Sequence, residues 1–340
     1  MTNPKRMTVY TSIPPSIMRI VQGKEISTAY QNACINSWRE AGLRVVSVNC
    51  ESEIRQLKER GIPIEYVSNG SQRNQSKIAK FLSLIAGSGE PVAGIINADC
   101  LRIHYHDFVG AISRAAQNSI VLFERLNLNP STMRPTGEHC YGFDAFFFDT
   151  RFIGDFKSSG SWLIGQPYWD YWFPLMLIYA GAKLKISAPG LVHVNHDVSW
   201  KWADWGTNAT ELRTSLLQLC NFDTAFPKDF VNAIKKKQTK NKFADFVFSW
   251  LRSNAEHVKL STDGTEGEFF YRLFSALSES KEPQFESELR CLRILRWRRF
   301  QYKRFRGGLA QLRRLGKLRK FPLQDDELNE LFEEINAKNS

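Results

Sequence analysis

Over the first 130 residues, short runs of branched apolar side chains alternate with longer stretches of helical period. Thr8–Ser12 (TVYTS) is a β-rich run closed by Pro14-Pro15, which reads as a strand and a loop. Ser27–Gly42 has apolar residues at 29, 30, 33, 34, 35, 38 and 41, a serine start and a glycine stop, which predicts a helix. Leu43–Val48 (LRVVSV) predicts a second strand, Ser52–Gly61 a short helix and Pro63–Val67 a third strand. Gln75–Ala86 predicts a helix, and Val92–Ile96, within PVAGIINADC, a buried fourth strand that stops at Asn97-Ala98-Asp99. His106–Ala116 and Ser119–Phe123 continue the alternation as helix and strand. Repeated β-α units predict a largely parallel sheet with helices on both faces.

The pattern then changes. Gly142–Asp149 (GFDAFFFD) is a dense aromatic strand. Gly165–Gly181 begins as a loop and becomes an apolar helix. Leu184–Ile186 and Gly190–Val194 read as two strands, and Trp200, Trp202 and Trp205 follow in a polar loop. From Glu211 the chain is helical, with Lys235–Lys242 (KKKQTKNK) as a solvated linker. The expected organisation is an α/β unit over residues 1–210 and a helical extension over 211–288, then a basic amphipathic segment over 289–321 and an acidic tail over 322–340.

Charge sharpens that division. The net charge is +11, but Arg290–Lys320 alone holds 13 Lys or Arg and no Asp or Glu, so the remainder is close to neutral. The basic segment admits three readings. It can lie on anionic lipid with Leu292, Leu295, Trp297, Phe300 and Leu312 as anchors, grip nucleic-acid phosphates, or fold onto the acidic Asp325–Glu334 stretch. The membrane surface is the preferred partner, and the neutral remainder counts against nucleic acid. No run approaches the ~18 apolar residues of a membrane span, and the N-terminus holds no apolar segment of signal-peptide length. The six cysteines (34, 50, 100, 140, 220 and 291) form no CxxC pair, which fits reduced thiols. A cytoplasmic protein, peripheral at the inner face of the membrane, is expected.

Several familiar signatures are missing. There is no GxxxxGK[ST] phosphate loop, no GxGxxG after the first strand, and no GxSxG or HExxH. What remains is a set of separated polar residues: Asn97 and Asp99 after the fourth strand, Asp144 in the aromatic strand, Asp170 in PYWDYW, and His193 with His196 in LVHVNHD. Ligands of open α/β sheets sit at the carboxyl edge of the strands, where Asp99 falls. There Asp99 either caps the next helix or holds a divalent metal. A diphosphate-bridging Mg²⁺ or Mn²⁺ asks for one or two carboxylates, and imidazole suits Mn²⁺. Residues three apart on a strand face opposite ways, so one of the two histidines should meet the metal unless the chain turns between them. His196, beside Asp197 and the following loop, is preferred.

Taken in order, four features resemble the GT-A glycosyltransferases over residues 7–205. These are the βαβ start with IINAD at the place of that family's DxD motif, the aromatic strand GFDAFFF, the turn IGQPYWDYW, and the late histidine of LVHVNHD. The resemblance implies a GT-A-like fold and transfer of a sugar from a nucleotide-sugar donor to a glycan or lipid-linked glycan, assisted by Mn²⁺ or Mg²⁺. Lipid-linked acceptors would suit the membrane-surface reading of the basic segment. Carried over residue by residue, it places Thr11 and Ser12 beside the base and Asn49 and Glu51 at base or ribose. Lys77 would reach base or phosphate, or else be solvated. Asp99 would bridge metal and ribose, with His193 or His196 as the imidazole ligand. Asp170 would be the general base, or else a helix cap. Asp144 would orient sugar hydroxyls, or else make a buried structural hydrogen bond. The family pattern is broken at Asn97, where an amide stands in place of a carboxylate. That departure keeps open a metal-independent reaction, or a non-catalytic nucleotide- or glycan-binding protein of the same fold.

Overall fold

The computed structural model describes residues 7–258 apart from 22, 73–75, 103–106, 132–141, 154–161, 197–201, 223–225 and 237–238. The basic segment and acidic tail, Cys140, Cys291, His104, His106, Asp197 and Trp200 lie outside the described residues.

In chain order the elements are β1 (Thr8–Thr11), β2 (Ile20–Val21), β3 (Lys24–Glu25), α1 (Ser27–Glu40), β4 (Arg44–Asn49), α2 (Glu51–Glu59) and β5 (Glu65–Ser68). Next come α3 (Ile78–Ser88), β6 (Val92–Ile96), β7 (Leu101–Arg102), α4 (Phe108–Ala115), β8 (Ser119–Leu128) and β9 (Ala145–Asp149). The chain continues through α5 (Trp169–Tyr179), β10 (Lys183–Val194), α6 (Trp202–Phe222), α7 (Lys228–Lys235), α8 (Lys240–Asn254) and β11 (Glu256–Val258). β2 and β3 form a separate two-stranded hairpin.

The main sheet has the order β11-β10-β8-β9-β6-β1-β4-β5, with β7 paired to β10. It is a mixed, mostly parallel α/β sheet flanked by helices, as the alternation predicts. The chain steps outward from β1 to β4 and β5, then returns to lay β6 on the other side of β1. That reversal is a topological switch point at the carboxyl ends of β1 and β6, the kind of place where such sheets bind ligands.

The strands alternate between two cores, because successive side chains of a strand point to opposite faces. Tyr10, Val46, Ile95, Leu122, Phe146 and Phe148 join one buried cluster with α3, α5 and the C-terminal helices. Val9, Val45, Ile96, Val121, Phe123 and Phe147 join the other with α1 and α4. The aromatic strand therefore serves both faces. Phe146 and Phe148 meet Phe173 edge-on at 5.5 and 5.0 Å, and Phe147 meets Phe123 and Phe108 at 5.5 and 5.6 Å. Burying each such ring stabilises the fold by roughly 1.5–3 kcal/mol. Gly94 is needed opposite Phe147, whose ring would lie 2.5 Å from any added Cβ.

Four expectations change. Leu184–Ile186 and Gly190–Val194 are parts of one strand, β10, whose pairing with β8 shifts register between Ser187 and Leu191. Trp205 is not in a loop. It lies in α6 and packs against Tyr168, ring centroids 4.6 Å apart, because burial of an indole outweighs the polarity of its neighbours. The lysine-rich stretch is drawn into the ends of α7 and α8, and the guanidinium of Arg213 donates to the carbonyls of Ile234, Lys235 and Lys236. Finally, α6 runs through residue 210, and its Leu212 and Leu216 are buried in the same cluster as α5. Among the described residues no helix is long and apolar enough to cross a membrane.

Candidate active site at the carboxyl edge of the sheet

β9 runs antiparallel to both β6 and β8. Its amino end therefore shares an edge with their carboxyl ends, and Ala145 pairs with Ile96 on one side and Phe123 on the other. Asp144, one residue before β9, is thereby set against Asn97, one residue after β6. The Asn97 N–H donates to the Asp144 carbonyl at 2.8 Å, and Asn97 Nδ2 donates to Asp144 Oδ1 at 2.5 Å. Arg125, on β8, also donates to Asp144 Oδ1, at 2.8 Å. Asp144 is 4% exposed, and its Oδ2 has no hydrogen-bond partner among the described residues. A carboxyl oxygen buried without a donor is costly, and this atom is open to a ligand's hydroxyl or N–H.

Asp99 and the two histidines meet through β7. The turn after β6 carries Asp99 and Cys100, and Leu101–Arg102 then form β7, which pairs antiparallel with Leu191 and Val192 of β10. That short ladder draws the end of β10 to the Asp99 turn. Trp38 Nε1 on α1 donates to the Cys100 carbonyl at 2.9 Å and holds the segment down. The fully buried Tyr30 hydroxyl donates to the Asp99 carbonyl at 2.8 Å and accepts from the Val194 N–H at 3.0 Å. It ties the two halves together.

The two histidines both reach the carboxylate. His193 Nε2 lies 3.2 Å and His196 Nε2 3.1 Å from Asp99 Oδ2. The expectation that only one would do so rested on strand alternation, which ends here because β10 stops at Val194 and the chain turns. One ligand atom from each of Asp99, His193 and His196 lies within 4.8 Å of the others. Arg19, in the loop before β2, donates to the same Oδ2 at 2.5 Å.

The donor set suits a divalent cation. His193 Nδ1 lies 3.1 Å from Asn127 Oδ1, its cross-strand partner on β8. Burial holds the pKa of the His193 ring below its ordinary value, against the pull of Asp99, and a neutral ring has one N–H only. With that proton on Nδ1 facing Asn127, Nε2 turns a lone pair toward a carboxylate oxygen. A cation between them satisfies both. One carboxylate oxygen with two imidazole nitrogens is a group that could hold a metal ion. At Asp99 burial raises the carboxyl pKa, but His193, His196 and Arg19 outweigh it and hold the group well below its ordinary value. It is a permanent anion there.

Asp170 lies in the first turn of α5, after Tyr168 in a left-handed conformation at φ 72°. Its Oδ2 accepts from the Phe143 N–H at 3.2 Å. Burial, and then the nearby Asp144 charge, push its pKa up from 3.8 to about 7, against the Phe143 N–H, its own backbone N–H and Arg125. It is an acid able to exchange a proton near neutrality.

The remaining expected residues divide. Thr11 is fully buried at the end of β1, and its hydroxyl has no partner among the described residues. Ser12 beside it is half-buried. Asn49 is fully buried, its Nδ2 donating to the Ile13 carbonyl and to Glu53 Oε2, and its Oδ1 accepting from Ser47 Oγ. The expected base or ribose contact finds no free N–H on this side chain, which instead shapes the turn after β1. Glu51, at the start of α2, and Lys77, at the amino end of α3, are exposed. Trp162, Tyr168 and Trp169 are core residues, 3% exposed or less. Sequence reasoning passed over Arg19, Tyr30, Arg125 and Asn127. For the last two, strand pairing was the missing signal.

No protein-family profile matches the chain, and no curated protein does. Among solved structures, the mannosyltransferase PcManGT of Pyrobaculum calidifontis, in complex with GDP-Man and Mn²⁺, is similar at 13% identity. The match covers 88% of this chain and 82% of that one, with a TM-score of 0.37. HddC of Yersinia pseudotuberculosis, complexed with GMP-PN, is similar at 8% identity over 45% of this chain and 81% of that one, with a TM-score of 0.29. Likenesses this faint leave the reading of the site to its own geometry.

Proposed function

We propose that the chain is a glycosyltransferase that moves a sugar from a nucleotide-sugar diphosphate to a hydroxyl of a glycan or lipid-linked glycan. The observation that carries this is the meeting of Asp99, His193 and His196 just after the carboxyl end of β6, beside the switch point between β1 and β6. Thr11 and Ser12, at the carboxyl end of β1, are assigned to the base, with Glu51 and Lys77 as base, ribose or phosphate contacts. Asp99, His193 and His196 hold Mn²⁺ or Mg²⁺. When bound, the cation supplies positive charge against the diphosphate that departs. Asp144 Oδ2 accepts from a sugar hydroxyl, while Arg125 and Asn97 fix the other oxygen. Asp170 accepts the acceptor's hydroxyl proton, a task for which a pKa near the working pH is suited. Residues 289–321 supply a basic surface for anionic membrane, where lipid-linked acceptors lie.

The test is a thermal-shift and donor-hydrolysis screen of nucleotide sugars with and without Mn²⁺. One or more donors should raise the melting temperature only with the metal, and should be cleaved slowly to the nucleoside diphosphate. Binding without cleavage, on addition of any acceptor, would make the chain a non-catalytic binder. No donor response in either condition would end the proposal.

A further inference from the structure

Asp99 Oδ2 is crowded. It faces the Arg19 guanidinium and both imidazoles, while Oδ1 meets, among the described residues, only Cys100 Sγ, at 3.9 Å. Three groups crowd one oxygen, and a cation bound at it would have the guanidinium, itself a cation, 2.5 Å from the shared oxygen. Like charges that share one oxygen repel in a partly buried site. The two therefore compete for Oδ2.

Arg19 is built to hold its backbone still. Its N–H donates to Ser27 Oγ at 3.0 Å, and its carbonyl accepts from the Ile26 N–H at 2.8 Å. Neighbours Met18 and Ile20 point outward, 64% and 53% exposed, while Arg19 is 4% exposed. Any change of partner at this residue must therefore be made by the side chain. Its Nη1 donates to the Met18 carbonyl at 2.8 Å, and its Nε is buried without a partner among the described residues. A planar guanidinium with a donor left over fits an anion that takes two N–H groups at once, as a phosphate does.

We infer that Arg19 is an internal counter-ion that occupies the metal's carboxylate oxygen until a diphosphate draws it away. This rests on the reading of Asp99, His193 and His196 as a metal site. Without ligand, Arg19 neutralises Asp99 and competes with the cation. A diphosphate offers the guanidinium a second anionic partner, which frees Oδ2. Cation and diphosphate therefore bind with positive coupling, and each must raise the other's affinity by the same factor.

The experiment is a Mn²⁺ titration, followed by electron paramagnetic resonance of the free ion, with and without inorganic pyrophosphate. It uses the full chain, Arg19→Gln, Arg19→Lys and Asp99→Asn. In the parent protein pyrophosphate should tighten Mn²⁺ binding by about ten-fold or more. Arg19→Gln should bind Mn²⁺ about ten-fold tighter without pyrophosphate, since the competing charge is gone, and should show a smaller gain when it is added. Arg19→Lys keeps the charge and should stay near the parent. Melting temperatures guard against misfolding: Mn²⁺ alone should raise that of Arg19→Gln more than that of the parent. Equal or weaker Mn²⁺ binding by Arg19→Gln, with binding that still depends on Asp99, would overturn the counter-ion role and leave the metal site standing. Binding that survives unchanged in Asp99→Asn, or that is missing in every protein, would overturn the metal reading and this inference with it.

Discussion

Asp99 and Asp170 are the same kind of residue, both half-buried, both near the carboxyl edge of one sheet. Yet the first is held well below the ordinary carboxylate range and the second is raised to about 7. Burial pushes both upward. The difference is the company each keeps. Asp99 meets a guanidinium and two imidazoles. Asp170 has the Phe143 N–H, and feels a second carboxylate whose arginine, Arg125, is already engaged with it. Pairs of acids whose surroundings push their pKa values apart mark out distinct chemical roles. Here the permanent anion suits a cation, and the group that titrates near neutrality suits a proton.

The widest break in that contrast comes from paired amide substitutions. Asp99→Asn should remove metal-dependent donor binding, beyond the roughly 10–100-fold cost of altering a ligand's outer support. Asp170→Asn should leave donor binding near the parent value and lower turnover by roughly 10²–10⁴. Calorimetric donor titrations with Mn²⁺, alongside steady-state rates, check both. Loss of donor binding in Asp170→Asn would erase the distinction between the two acids.

A smaller effect is expected with pH. Turnover of the parent should rise as pH passes about 7, because Asp170 must lose its proton to accept another. Stability should move the other way. A carboxyl whose folded pKa is raised takes up protons more readily folded than unfolded. Its contribution is complete below the ordinary value near 4 and is lost as pH rises through about 7. Asp170→Asn has no such loss. Discounted for partial exposure, its stability advantage over the parent should reach on the order of 2 kcal/mol at pH 8 and vanish by pH 4. Urea unfolding at the two pH values measures it, and a gap of the same size at both would remove the raised pKa from the picture.

Smallest is Tyr30→Phe, which sharpens the Asp99 side alone. It leaves the Asp99 carbonyl and the Val194 N–H without their shared hydroxyl, at about 1–3 kcal/mol. Mn²⁺ affinity should fall with it, while the turnover pH profile set by Asp170 keeps its midpoint. A shifted midpoint would mean the two regions are not independent.

Much of this was legible along the chain. The βα units from Thr8 to Ile96 and the aromatic strand were read close to their observed bounds, because period-2 and period-3.6 patterns are local. Acids at the ends of strands pointed to the ligand-binding edge without any structure. Other features left no local trace. Arg19 is a lone basic residue in a Pro-containing loop, and only the fold brings it 80 positions along the chain to Asp99. Tyr30 reads as one more apolar position on α1. His193 and His196 could not be separated by strand alternation, since that rule holds only while the strand lasts.

Local pattern, then, was enough to say that a parallel sheet forms and that Asp99 falls at a strand end, while it put Asp144 inside the aromatic strand that in fact begins at Ala145. Tertiary structure alone decided that β9 runs backward, that β7 ties β10 to the Asp99 turn, and that one oxygen receives Arg19 and both rings. The reason is physical. Strand periodicity is set by neighbours one and two residues apart, whereas direction, register and charge balance at a sheet edge are set by residues tens of positions away.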